Sequence, residues 1–100
     1  MNSRLKLHSV LLNYLPNVYY QPPSNIKMNY PCIIYSKSGK IRNYADDIIY
    51  RNRQQYSITV IEVDPDSEVA DRMELEIPSC VISQYYTVDN LNHTTLNLTY

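Results

Sequence analysis

The chain of 100 residues has a single glycine, Gly39, and neither phenylalanine nor tryptophan. One glycine argues against nucleotide chemistry, because a phosphate-cradling loop needs several positions where bare backbone can approach the ligand. Long apolar runs are also missing: none approaches the roughly 20 residues needed to cross a bilayer. Polar His8, Ser9 and Asn13 interrupt the segment Met1 to Leu15, which reads as a helix of the mature protein and not as a secretory leader. Nor is there an excess of charge of one sign. Nine Lys or Arg stand against ten Asp or Glu, whereas a dedicated nucleic-acid binder carries a strongly basic face. Only two cysteines occur, Cys32 and Cys80, both in apolar strand-like contexts that suit free core thiols in a protein made in the cytoplasm.

What the chain does have is tyrosine, eleven of them, each an apolar ring with a hydroxyl that needs water or a hydrogen-bond partner. Such a core places many rings near a surface, and tyrosine is enriched at protein interfaces. At this length one modest core is feasible, so a single domain over residues 1–100 is expected.

Leu5, Leu7, Val10, Leu11, Tyr14 and Leu15 recur at three- and four-residue steps, which predicts an amphipathic helix capped by Ser3 and ending before Pro16. Residues 16–31 hold Pro22-Pro23 and little periodicity, and read as an extended connection. A strand starts at Tyr30 to Tyr35. Ser36 to Asn43, with Gly39, and Asp46-Asp47 carry turn chemistry, predicting a protruding hairpin arm over about residues 36–55. Gln55 to Val63 alternates Tyr56, Ile58 and Val60 against Ser57 and Thr59, then turns apolar on both faces. Asp64-Pro65-Asp66-Ser67 reads as a helix start with Asp64 as N-cap, and Val69, Ala70, Met73 and Ile77 as the packed face. After Pro78, Cys80 to Thr87 is strand-like, Asp89-Asn90 is a turn, and Thr94, Leu96, Leu98 and Tyr100 form one face of a last strand. The expected fold is α+β: a small, mostly antiparallel four-stranded sheet with an N-terminal helix, one helix between strands, and the arm.

Constellations for chemistry are weak. Cys32, Cys80, His8 and His93 are too widely spaced to resemble a zinc motif, and a Cys–His nucleophile pair has no local signature. The acids Asp64, Asp66, Glu68, Asp71, Glu74 and Glu76 lack the turn glycine and alternating ligands of a calcium loop, so they read as a solvated or partner-facing surface. Glu74 and Glu76 lie at the helix C-terminus, where the macrodipole disfavours them. No catalytic residue, metal ligand or cofactor site is assigned.

The charges are segregated along the chain. Residues 1–56 hold eight Lys or Arg and two acids, while residues 57–100 hold one Arg and eight acids. Copies of such a chain can associate head to tail, and heterologous contacts close into rings when the rotation permits. The candidate interface residues are Lys37, Lys40, Arg42, Tyr44, Tyr50, Arg51 and Arg53 on the arm side, and Asp66, Glu68, Asp71 and Glu74 on the acidic side. The alternative is that the two halves interleave and neutralise each other within one subunit.

Leu15-Pro16-Asn17-Val18-Tyr19, Gln21-Pro22-Pro23-Ser24, Tyr30-Pro31-Cys32-Ile33-Ile34-Tyr35, Asp64-Pro65-Asp66-Ser67 and Asp89-Asn90-Leu91-Asn92-His93 occur in this order across nearly the whole chain. In these segments it resembles the tail terminator proteins of tailed bacteriophages, also labelled minor capsid or neck proteins. The resemblance implies a non-enzymatic virion protein at the tail–neck junction. Such a protein forms a ring, typically a homohexamer, that stops tail-tube polymerisation and meets the tail tube protein and a neck or head-closure protein. A contractile tail would add the sheath as a partner, and DNA would pass through the lumen without sequence-specific binding. Related tail proteins often place Phe in the strand after the second cysteine and at the chain end, and here Val81 to Tyr86 and Leu96 to Tyr100 carry none. The alternatives are another neck component, such as a head-closure or tail-completion protein, and a small ligand-binding accessory protein with a tyrosine-lined pocket.

Overall fold

The computed structural model describes residues 3–22, 27–45 and 48–99, with side chains described in these ranges except at residues 3, 39–45 and 48–53. The proposed Ser3 cap, the Asp46-Asp47 turn, Pro23-Ser24 and Tyr100 lie outside what is described. Two helices, α1 (Ser3–Leu12) and α2 (Val69–Glu76), accompany five strands: β1 (Val18–Tyr20), β2 (Cys32–Ala45), β3 (Ile48–Glu62), β4 (Cys80–Val88) and β5 (Leu91–Thr99). The strands form one mixed sheet in the order β1-β2-β3-β5-β4.

The architecture is α+β, but the sheet has five strands where four were expected. The additional strand comes from the supposed connection: Val18, Tyr19 and Tyr20 pair in parallel with Ile33, Ile34 and Tyr35. A β-branched residue and two aromatics suit a pleated surface. Two backbone bonds extend the pairing, Gln21 N–H to Tyr35 O at 2.9 Å and Ile33 N–H to Asn17 O at 2.8 Å.

Helix α1 stops at Leu12, and the chain then tightens. Asn13 and Tyr14 donate to the carbonyls of Val10 and Leu11 at 3.1 and 3.0 Å in three-residue turns. This carries Leu15 round to join Leu7 and Leu11 in the core. Leu5, expected on the packed face, is exposed.

Helix α2 begins at Val69, with Glu68 as an N-cap residue that makes no side-chain capping bond. The Asp64 carboxylate instead accepts the Asp66 N–H at 2.9 Å, holding its own turn in place of starting the helix. Ala70, Met73 and Ile77 are buried, and Val69 is half-buried against them.

Strand β2 runs straight through the segment expected to turn, and Gly39 lies beside a bulge between Lys37 and Gly39. Pairing of β2 with β3 continues to Ala45↔Ile48, whereas β3 pairs with β5 only from Gln55 to Glu62. Beyond Gln55 the hairpin is therefore a two-stranded ribbon, with no third strand beside it among the described residues. The domain measures 51 × 27 × 22 Å. At the other end, β4 and β5 are joined by Asp89 and Asn90, both at positive φ (53° and 62°), a conformation these two residue types tolerate without glycine.

Register sorts the side chains. Ile33, Tyr35, Tyr56, Ile58, Val60, Leu96, Leu98 and Cys80 share the face covered by the helices. Ser57, Thr59, Thr95 and Asn97 share the opposite face, which is polar, as in antiparallel sheets with one solvated side. Cys32 and Ile61 pair on that face and are buried. Tyr35 is fully buried yet satisfied: Arg4 Nη1 donates to its hydroxyl at 3.3 Å, and His8 Nδ1 lies 2.7 Å from it. Its ring also contacts Tyr20 and Tyr56, so tyrosine builds the middle of this core and not only its rim.

Candidate subunit interface

Strand β3 runs from the basic ribbon to the start of the acidic segment. Its arm end bears Tyr50, Arg51 and Arg53 and β2 bears Lys40, Arg42 and Tyr44 alongside, but the register Lys40↔Gln54, Ile41↔Arg53, Arg42↔Asn52 and Asn43↔Arg51 pairs none of these basic residues with another. The side chains of these six residues lie outside what is described, so the structure places them by backbone position alone. Lys37, at the base of the ribbon, is exposed.

The other end of β3 leads through Glu62 into the acidic segment and α2. Asp66, Glu68 and Asp71 are exposed there. From Arg53 to Glu62 is nine residues along one strand, roughly 30 Å at about 3.3 Å per residue. That exceeds the Debye length of about 8 Å at physiological salt several-fold. The fold thus gathers Lys40, Arg42, Arg51 and Arg53 on the ribbon and Asp64, Asp66, Glu68 and Asp71 beyond the far end of β3, while Glu74 and Glu76 lie further back along the sheet, against Ile82 and Tyr14.

Two of the acids serve their own subunit. Glu74 Oε2 accepts the backbone N–H of Ile82 on β4 at 2.8 Å, and Glu76 Oε1 accepts the Tyr14 hydroxyl at 2.8 Å. These bonds tie α2 to the edge strand and to the end of α1, which accounts for acids at a helix terminus that disfavours them. Arg72, the only cation beyond residue 56, lies 3.7 Å from Glu76 and over the Tyr14 ring. Burial, followed by the Glu76 hydrogen bond, raises the Tyr14 hydroxyl above its ordinary pKa.

The residue that sequence reading missed is Glu62. It is 7% exposed, and its Oε1 has no hydrogen-bond partner. The apolar neighbours Val60, Ile61 and Val63 suggested a wholly buried strand end, yet Val63 is 64% exposed and the buried residue is the acid. An acid interrupting an apolar strand end was the available signal. Glu62 lines a small hollow with Asp64, Ser67 and Thr94, and the adjoining groove of about 280 Å³ is walled by Asp71, Tyr85, Tyr86 and His93. Tyr86 and His93 stack with centroids 4.7 Å apart, and His93 Nδ1 lies 3.1 Å from the Leu91 carbonyl oxygen.

The cysteines lie on opposite faces of the sheet. Burial pushes both thiols up to about 11, with Glu74 adding to the effect at Cys80. His8 sits on α1 against Tyr35 and His93 on β5, so these four residues are not assembled into one site. Among the described residues, no three His, Cys, Asp or Glu side chains are grouped to hold a metal ion.

No family model matches the chain, and no curated protein compared with it is similar.

Proposed function

We propose that the chain is a structural subunit without catalysis that joins copies of itself head to tail into a closed ring, in the manner of a phage tail terminator. In that role it caps the head-proximal end of the tail tube and presents a surface to the neck. Its partners are other copies, the tail tube protein and a neck or head-closure protein. Its place is the tail–neck junction of the virion.

One observation carries this reading: basic ribbon and acidic end are held apart by the length of β3, so neither can neutralise the other within a subunit. A neighbouring copy supplies the complement of both at once. Such a contact uses different surfaces on its two partners and closes into a ring when the rotation permits. The protonated, buried thiols offer no ready nucleophile at neutral pH, which also favours an assembly role. No helix among the described residues is long and apolar enough to cross a membrane.

Electron microscopy of the particles that carry the chain tests the reading. Ring density fitted by this fold at the head-proximal end of the tail is the expected result. Density within the head–neck connector would move it to another neck role, and absence from particles would refute it.

A further inference from the structure

The acidic end of the sheet has an interior as well as a surface. The hollow that Glu62 lines and the groove beside it share Pro65, Ser67, Ala70, Asn92 and Thr94, so the two adjoin as one recess with Glu62 at its inner end. Glu62, Asp64 and Asp71 line it, with Asp66 and Glu68 adjacent in sequence, and none of these five carboxylates has an ion-pair partner among the described residues. Arg72 is engaged elsewhere. The Glu62 carboxyl is more than nine-tenths buried with Oε1 unpaired, an arrangement that is costly unless a donor reaches it. The outer wall carries Tyr85, 68% exposed, and Tyr86, 40% exposed. The exposed ring of Tyr85 beside these carboxylates suits a cationic side chain, which gains from the ring and from the acids together. The groove is about 280 Å³ and the hollow that Glu62 lines about 40 Å³, small for a cofactor and of a size for a single side chain.

We propose that this recess is the receptor for a basic side chain from the ribbon of a second copy, drawn from Lys40, Arg42, Arg51 and Arg53, with the cation reaching towards Glu62. The inference rests on the self-assembly reading above and names its contact. The occupant follows from charge and distance: these are the basic residues gathered on the projecting ribbon, and their own recess lies roughly 30 Å away along β3. A cation seated over a buried carboxyl is desolvated, so this contact carries more of the affinity than exposed pairs at the rim.

Two reciprocal variants test the contact by sedimentation velocity. In one, Lys40→Glu and Arg42→Glu reverse the ribbon; in the other, Glu68→Lys and Asp71→Lys reverse the exposed rim of the recess. If wild type self-associates, each variant alone is expected to be monomeric. Their equimolar mixture is expected to restore assembly, because the native ribbon of one meets the native recess of the other and the reversed ribbon meets the reversed recess. Oligomers from either variant alone, or no association in the mixture, would overturn the contact while leaving self-assembly standing. A monomeric wild type would overturn both. Separately, the near-isosteric Glu62→Gln is expected to keep the fold by circular dichroism and to weaken self-association at least about tenfold. Unchanged association would assign Glu62 to a bridging water and refute its role as the inner end of the receptor.

Discussion

The carboxylate of Glu74 accepts the backbone N–H of Ile82 at 2.8 Å, so an acid near the end of α2 closes part of the free edge of β4. Exposed strand edges recruit other strands, and an acid bound to the edge backbone is one way to blunt them. A bulge between Ile82 and Gln84 interrupts the same edge.

Replacing Glu74 by Ala frees that amide. The expected cost is about 1 kcal/mol, in the range of one net hydrogen bond, together with faster hydrogen exchange at Ile82. Exchange followed residue by residue by NMR gives the answer, and an unchanged Ile82 rate would show that the bond does not protect the edge.

Ile58 and Leu96 face each other across β3 and β5, both fully buried. Truncating either to Ala is expected to cost about 2–5 kcal/mol from lost burial and the residual cavity. That is a large share of the stability of a domain this small. Urea unfolding measures it, and losses below about 1 kcal/mol at both sites would contradict the assigned core face.

Tyr35→Phe keeps the ring contacts with Tyr20 and Tyr56 but removes the oxygen shared by Arg4 and His8. A destabilisation of about 1–2 kcal/mol is expected, because Arg4 and His8 both lose a part-buried hydrogen-bond partner. Equal thermal stability of variant and wild type would show that water replaces the hydroxyl without loss.

Cys32 and Cys80 set an alkaline limit. Burial raises both thiols to about 11 in the folded state, against about 9 unfolded. Between these values the unfolded chain has released the thiol protons and the folded chain has kept them, so stability falls as pH rises. The contribution is complete below about pH 9 and lost towards pH 11, at roughly 1.4 kcal/mol per thiol for each pH unit. Denaturant midpoints between pH 8 and 11 should show this slope, and Cys32→Ala should reduce it. A slope identical in wild type and variant would contradict the assignment.

Much of this fold could be read from local pattern. The alternation ending at Leu96 and Leu98, the turn at Asp89-Asn90, and the spacing of Ala70, Met73 and Ile77 each fix a face or a reversal with neighbouring residues alone. β1 was hidden because three residues between Pro16 and Pro22 are too few to show a period. The start of α2 was misplaced because the Asp64 side chain fits two roles, helix cap or holder of its own turn, and only the folded chain selects between them. On the acidic side, charge segregation named Asp66, Glu68 and Asp71 as surface acids, and all three are exposed. It could not reveal that Glu74 serves the edge of β4, or that Glu62 lies buried beneath them, since both depend on strands distant in sequence.

The account centres on head-to-tail association driven by charges held at opposite ends of β3, and sedimentation of the wild-type chain across protein concentration and salt tests it most directly. The expected result is a discrete closed oligomer forming from monomers at low salt, with assembly weakening as salt screens the contact. A chain that stays monomeric at every concentration in low salt, or oligomers indifferent to salt, would contradict it.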